Sequence, residues 1–337
     1  MRFDKYEWTA ISIMVSLFII VGFVQGWSVS LVILNMCIIS AIMTMGVNIS
    51  WGYAGVINFG VMGFLAMGGL AAVLVSYPPI KEAWHVGGSG LGISFVLLIG
   101  LVIAVYFINK LVEKKSHKYW LNGLVIFFGV IIIRYFFLNA TSKIEEVDPA
   151  LAGFLGGANL PIIFSWAVGG FFAGGVAFLI GKVALGLRSD YLAIVTLGIS
   201  EIVVSVLKHE EWLSRGVKNV IGLKRPVPYE INLQASDWFI NMVTWFNSSK
   251  LNQIIDPDQK QEMLNNLIID SSSLFVKLNY AILFFIVMII IYYFANKAQI
   301  SPWGRMMRAI RDNEVSANAM GKDIVKQHLI IFVIGAA

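Results

Sequence analysis

The stretch "YAILFFIVMIIIYYFA" (280–295) carries no charged side chain. In hydrocarbon, where no water can pair the backbone, a segment of that kind satisfies its N–H and C=O groups by coiling into an α-helix. About 20 apolar residues cross a hydrocarbon core roughly 30 Å thick. Comparable runs lie near 8–24, 28–48, 53–76, 91–109, 119–138, 161–181, 190–207 and 274–295. They predict an all-α polytopic membrane protein with about eight crossings. Hydrophobic residues make up 58% of the 337-residue chain and charged ones 13%, whereas a soluble domain carries about a quarter charged residues. The run at 8–24 is longer than a signal-peptide core and no small-x-small cleavage site follows, so it is expected to stay as an anchor. A ninth run, "HLIIFVIGAA", begins at His328 and supplies ten residues, about 15 Å of helix. That falls short of a crossing, so 1–337 is expected to be one transmembrane domain truncated at its C-terminal end.

Charge sets the orientation. With Arg2 and Lys5 inside, the loops at 110–118 and 182–189 and the segment 296–327 also face inside, and together they hold fourteen lysines and arginines, Lys114 and Arg188 among them. The short outside loops hold only Lys81 and Lys143, and the loop 139–160 is acidic, with Glu145, Glu146 and Asp148. This is the positive-inside pattern. It also accounts for the sequence pI of about 9.1, so no nucleic-acid partner is expected. The stretch 208–273 falls outside and reads as a loop or small folded cap containing "DWFINMVTWF".

Several chemistries are not encoded. Cys37 is the single cysteine, and His85, His117, His209 and His328 are scattered, which leaves neither a disulfide nor a metal-ligand spacing. "GKV" at 181–183 lacks the Ser/Thr and the glycine spacing of a nucleotide-binding loop. No nucleophile–base set occurs within the spans. No catalytic residue, metal or bound cofactor is therefore assigned to this chain.

Two apolar stretches carry unusual residues. "GYAGVINFGVMGFLAMGGLAA" (52–72) is rich in glycine, and "VGGFFAGG" (168–175) contains a Gly170–Gly174 pair. Close helix packing explains both. For the first, a broken helix beside a solute path is the alternative, with Gly55, Asn58 and Gly60 as its candidate residues and Asn48 just before. In "SDYLAIVTLGISEIV" (189–203), Glu201 lies about 16 Å into its helix, near mid-membrane. A carboxylate there faces the bundle interior or water, either as a structural partner or, with Thr196, along the path. Arg134 lies near the outer end of its helix, where its long stem reaches the interface.

"SPWGRMMRAIRDNEVSANAMG" (301–321) interrupts the apolar pattern. Ser301 can cap a helix that starts at Pro302, and Gly321 can end it. One helix over about 302–320 is predicted. Its apolar face comprises Met306, Ala309, Ile310, Ala317 and Met320, with Arg305, Arg308, Arg311 and Asp312 opposite. Such a helix either lies among lipid headgroups or docks a soluble partner.

The same segment resembles the cytoplasmic loop of permeases in the branched-chain amino-acid family of ABC importers. The matching residues are Gly304-Arg305, Ala309-Ile310-Arg311-Asp312-Asn313-Glu314, Ala317 or Ala319, and Gly321. "WGYAGVINFGVMGFLAMGG" (51–69) is similar to the family's glycine segment, through Gly52, Gly55, Gly60, Phe64 and Gly68. "LRSDYLAIVTLGISEIV" (187–203) resembles its Arg-x-x-Tyr-Phe-Ala-x-x-Thr-Leu-x-x-x-Glu segment, with Leu192 in place of Phe. "RGVKNVIGLKRPVP" (215–228) looks like a degraded Thr-Gly-Gly-x-x-Gly-Leu loop. Three motifs in order carry the resemblance from about residue 35 onward. The regions 76–160 and 230–275 match poorly.

The resemblance implies a permease subunit, the longer of two paralogues that pair as a heterodimer in a bacterial or archaeal cytoplasmic membrane. Two cytoplasmic ATPase subunits would hold ATP and Mg, and an extracytoplasmic solute-binding protein would select the solute. The 302–320 helix would seat in an ATPase groove, with Arg305, Arg311 and Glu314 in polar contact and Met306 and Ile310 as apolar anchors. Branched-chain or other hydrophobic amino acids are the implied solutes. The alternatives are a related permease for urea or short amides, an ion-coupled carrier, and a proton-translocating subunit of a redox complex.

Overall fold

The computed structural model describes residues 5–111, 115–149, 153–186 and 189–337. Arg2, Lys114 and Arg188, three of the residues counted for orientation, lie outside the described residues. Fifteen helices follow one another among the described residues: α1 (Lys5–Val24), α2 (Trp27–Ala54), α3 (Val61–Ser76), α4 (Lys81–Leu111), α5 (Lys115–Glu145), α6 (Ile162–Ala184), α7 (Ser189–His209), α8 (Glu211–Ser214), α9 (Glu230–Gln234), α10 (Asp237–Phe246), α11 (Ser248–Leu251), α12 (Pro257–Ile300), α13 (Pro302–Asp312), α14 (Glu314–Ala319) and α15 (Ile324–Ala336). Six of them, α2, α4, α5, α6, α7 and α12, are long and apolar enough to cross a membrane; Trp8–Val24, Val61–Ser76 and Ile324–Ala336 are shorter apolar helices. This is an all-α multi-pass membrane architecture.

Two of the expected boundaries move. The run at 53–76 is not one helix: the chain leaves the helix at Gly55, in the left-handed conformation (φ 73°), and resumes it only at Val61. The predicted crossing at 274–295 is part of a 44-residue helix, α12, about 66 Å long and more than twice the hydrocarbon thickness. Its start is punctuated by Asp256, whose side chain accepts the Asp258 N–H ahead of Pro257.

The chain divides into two compact units. The first holds residues 1–58, 181–192 and 225–336. Here α2 packs along α1, α12 and α15. Gly46 and Gly335 let α2 and α15 touch backbone to backbone, since a Cβ on either would stand 2.9 Å from the other's carbonyl oxygen. At the start of α12 the short helices α9 and α10 bury Leu233, Phe239 and Val243 against Ile268 and Val276. Phe239 also sets its ring edge-on to Phe275, with centroids 5.7 Å apart. The remainder of the stretch read as a single cap, residues 208–224, belongs to the second unit.

The second unit holds residues 59–180 and 193–224. Its main feature is the antiparallel α4–α5 pair, in which Gly87 meets Ile144 and the Ala140 carbonyl and Gly90 meets Ala140. The segment 153–160 folds back over the end of α3: the N–H groups of Ala158, Asn159 and Leu160 donate to the carbonyls of Leu74, Tyr77 and Val75. Gly157 permits that approach, because a Cβ there would stand 2.4 Å from the Val73 oxygen. In the "VGGFFAGG" stretch a Cβ on Gly169 would stand 3.2 Å from the Gly68 Cα, while a Cβ on Gly170 would meet only the Ala337 carbonyl oxygen, at 3.5 Å.

A Cβ on Gly87 would lie 2.2 Å from Ile144 Cγ1 and 2.8 Å from the Ala140 oxygen, whereas Gly92 faces open space. Gly87→Val is therefore expected to cost about 1–3 kcal/mol by overpacking, read as a lower thermal-unfolding midpoint in detergent. Gly92→Val should leave that midpoint unchanged; equal midpoints for both variants would sink this account of the pair.

Candidate functional site

The charged segment 301–321 folds as two helices rather than one. Ser301 caps α13, its hydroxyl accepting from the Gly304 N–H at 3.3 Å, and Pro302 occupies the first turn. Asn313 breaks the run. Its backbone is extended (φ −157°, ψ 97°) and its side chain accepts the Ser316 N–H at 2.9 Å, which starts α14. Asn is a stronger N-cap than a helix-interior residue, because its short side chain competes for backbone groups. Gly321, at φ 75°, ends the pair in the left-handed conformation.

The side of α13 that is buried follows from Gly304. A Cβ there would stand 2.4 Å from the carbonyl oxygens of Ala298 and Gln299, so only glycine lets α13 press against the end of α12. The row Gly304, Met307, Ile310 then faces inward, with Met307 and Ile310 fully buried. Met306 is half-buried and Ala309 exposed. The predicted single apolar face of Met306, Ala309, Ile310, Ala317 and Met320 is not formed, because Ala317 and Met320 lie beyond the break. Trp303 joins α13 to α15, its indole N–H donating to Gln327 at 3.3 Å.

The three arginines all turn to helix ends. Arg305 donates to the Ile300 carbonyl at 3.0 Å and Arg308 to the Gln299 carbonyl at 3.3 Å, both in the last turn of α12. Arg311 donates to the Gly52 carbonyl at 2.6 Å, in the last turn of α2. Its remaining N–H groups bind Asp312 at 3.1 and 3.2 Å. The last carbonyls of a helix have no partner within it and carry its negative dipole end, so a guanidinium there is favourable twice over. The large apolar side chains that the segment leaves exposed are on and beside α14, with Val315 81% and Met320 80% accessible. Glu314 and Asn313 are exposed beside them and Ala317 is half-buried.

The interruption between α2 and α3 is held at its two ends. At the α2 end, Gly55 and Val56 N–H close on the Trp51 and Ser50 carbonyls, the pattern of a left-handed glycine stop. At the α3 end, the Thr196 hydroxyl accepts the Phe59 N–H at 3.2 Å and the Ser200 hydroxyl accepts the Gly63 N–H at 2.7 Å. Thr196 and Ser200 stand one turn apart on the buried side of α7, and a Cβ on Gly63 would lie 3.0 Å from Ser200. Asn58 and Gly60 are buried within the segment, and Gly55 is half-buried. Glu201 is not part of this group. It is exposed on the other side of α7, beside Ile194, Gly198 and Ile202, and no described residue forms a hydrogen bond or ion pair with it. Among the described residues no group of three His, Cys, Asp or Glu side chains could hold a metal ion.

Of the path residues expected from sequence, Gly55, Asn58 and Gly60 lie in the break and Thr196 bonds its α3 end, while Ser200, Trp303, Met307 and Val315 carry no such expectation. The signal for Ser200 was present: two hydroxyls at i and i+4 on an apolar helix opposite a glycine-rich break.

These features define a polytopic helical membrane protein whose charged internal segment is built into the ends of two long helices and presents a short apolar tip. Over residues 85–337 the chain matches the family described as branched-chain amino acid transport system / permease component, and it belongs to that family. It is similar to the High-affinity branched-chain amino acid transport system permease protein LivM of Escherichia coli K12, with 27% identity over 172 residues, 50% of this chain and 36% of that protein. The LivM protein of Salmonella typhimurium LT2 is 27% identical over 170 residues, 50% of this chain and 35% of its own length. The match thus spans about a third of the length of these curated relatives. No solved structure matches the chain.

Thr196→Val with Ser200→Ala removes both hydroxyl acceptors at the start of α3. Each hydrogen bond lost is worth about 0.5–1.5 kcal/mol, and the Gly63 N–H keeps the Gly60 carbonyl at 3.1 Å. Hydrogen exchange at the amides of residues 59–63 is expected to accelerate while that of α2 stays as it was. Unchanged exchange at 59–63 would show that the hydroxyls do not hold the break.

Proposed function

We propose that the chain is the membrane-spanning permease subunit of an ATP-driven importer of branched-chain or other hydrophobic amino acids, in the cytoplasmic membrane of a bacterium or archaeon. It pairs with a paralogous permease, two cytoplasmic ATPase subunits and an extracytoplasmic solute-binding protein. Family membership supports the class of transport. The observation that carries the docking role is the exposed tip of α14. A headgroup anchor would turn its apolar face and its arginines to the lipid. Here Met307 and Ile310 are buried within the chain and the three guanidinium groups are engaged at helix ends. Val315 and Met320, flanked by Asn313 and Glu314, remain for a protein partner.

In this reading ATP and Mg bind the ATPase subunits. Closure of the ATPase pair moves the α13–α14 unit, and the membrane helices shift between two states by differential binding, with no chemistry on the solute. Gly55, Asn58, Gly60, Thr196 and Glu201 are the groups proposed along the path or its gate.

With Val315→Cys in a Cys37→Ala background, thiol cross-linking in membranes of the natural host is expected to capture a peripheral ATPase in an ATP-sensitive adduct. Labelling by lipid-phase reagents alone would assign the tip to the headgroup layer and remove this reading. Glu201→Leu is expected to insert and assemble normally and to lose most solute uptake, measured in vesicles. Uptake at the wild-type rate would take Glu201 off the path.

A further inference from the structure

We infer that Arg311 is the strut by which the cytoplasmic helix pair acts on the break between α2 and α3, and thus the positioning residue that passes ATPase movement to the membrane. The inference rests on the proposed function and adds to it the residue that connects the two moving parts.

Four observations converge. Arg311 sits in the last turn of α13 and spans from there to α2, its Nη1 donating to the Gly52 carbonyl at 2.6 Å. Its Cγ stands 3.0 Å from where a Cβ on Gly55 would be, so the stem rests on the residue whose left-handed φ of 73° begins the break. Asp312 holds the guanidinium from the other side, at 3.1 and 3.2 Å. Finally, α13 cannot turn about its own axis without exposing Met307 and Ile310, both fully buried. A push on the pair therefore displaces α13 as a body, and Arg311 moves with it.

The compliant side of that contact is the break, since the rest of α2 is packed along α1, α12 and α15. Residues 55–60 carry no helical ladder to resist bending, and the far end of the segment is fastened through Phe59 to Thr196 and through Gly63 to Ser200. Displacement at Gly52 is passed to the Gly55–Gly60 interval, which holds Gly55, Asn58 and Gly60 of the proposed path. Arg305 and Arg308 cannot substitute. They donate to Ile300 and Gln299, in the turn that leads directly into α13, and so tie the segment to its own neighbour in sequence.

The test uses the chain assembled with its partner subunits in proteoliposomes, with radiolabelled leucine uptake and ATP hydrolysis read in parallel. Arg311→Ala is expected to reduce leucine taken up per ATP hydrolysed about tenfold, the loss of one charge-assisted hydrogen bond. Arg311→Lys, which keeps a cation within reach of Gly52, should recover part of it. A pure assembly defect would lower both readouts together and leave their ratio alone. The decisive variant is the pair Gly55→Cys and Arg311→Cys in the Cys37→Ala background. The two Cβ positions are 3.8 Å apart, the spacing of a disulfide. When reduced, this pair lacks the strut and should be uncoupled. When oxidised with copper phenanthroline it carries a covalent strut, and uptake should return. Wild-type coupling in Arg311→Ala, or an oxidised pair no better coupled than the reduced one, overturns the inference while leaving the proposed function intact. A wild-type assembly in which ATP drives no leucine uptake overturns both.

Discussion

A helix that ends within or beside a membrane leaves its last carbonyls and first N–H groups without partners, and the rest of this structure is arranged around that fact. Four helix ends are answered by groups that the chain brings to them. The end of α12 is met by Arg305 and Arg308. The end of α3 is met by backbone N–H groups of the segment 158–160. The end of α2 is met by the Gly55 stop and by Arg311, and the start of α3 by two hydroxyls of α7. The charged segment that looks foreign among apolar runs is thus in large part an answer to the apolar runs themselves.

The glycines follow from the same requirement. Where a backbone must reach another backbone, no side chain can stand between them. Gly304 lets α13 approach the last carbonyls of α12, Gly157 lets its segment reach the end of α3, and Gly63 lets α3 lie against Ser200. Gly55 differs in kind: its role is conformational, since a left-handed φ costs most L residues about 1–2 kcal/mol. Helix packing and helix interruption were competing readings of the glycine-rich stretch. A break at 55–60 and close packing at Gly63 both occur, a few residues apart.

The consequence for function lies in what remains after these contacts are made. The three guanidinium groups are engaged at helix ends within the chain, and a small apolar tip at Val315 and Met320 stays accessible. A rigid pair, buried along Met307 and Ile310 and pinned at two helix ends, suits transmission of displacement better than it suits a flexible tether. The family to which the chain belongs moves solutes across membranes, and a two-state helix bundle biased from one end is a sufficient physical basis for doing so.

The fold class was legible because the cost of placing a residue in hydrocarbon is local and nearly additive: run length and charge placement predict helices that cross, and every predicted apolar run is helical over most of its length. The caps at Ser301 and Gly321 were legible for the same reason, being set by side chains within one turn. Partner choice was not. Arg311 and Gly52 are 259 residues apart, and no pattern within the charged segment says which carbonyl a guanidinium will find. The sequence likewise placed Thr196 and Glu201 in one helix of 3.6-residue period without revealing that one is buried at the break and the other exposed. Apolar length and local capping determined which segments became helices. Only tertiary packing decided which helix end each arginine closes and which face each helix presents, because those depend on what other segments bring within a few ångströms.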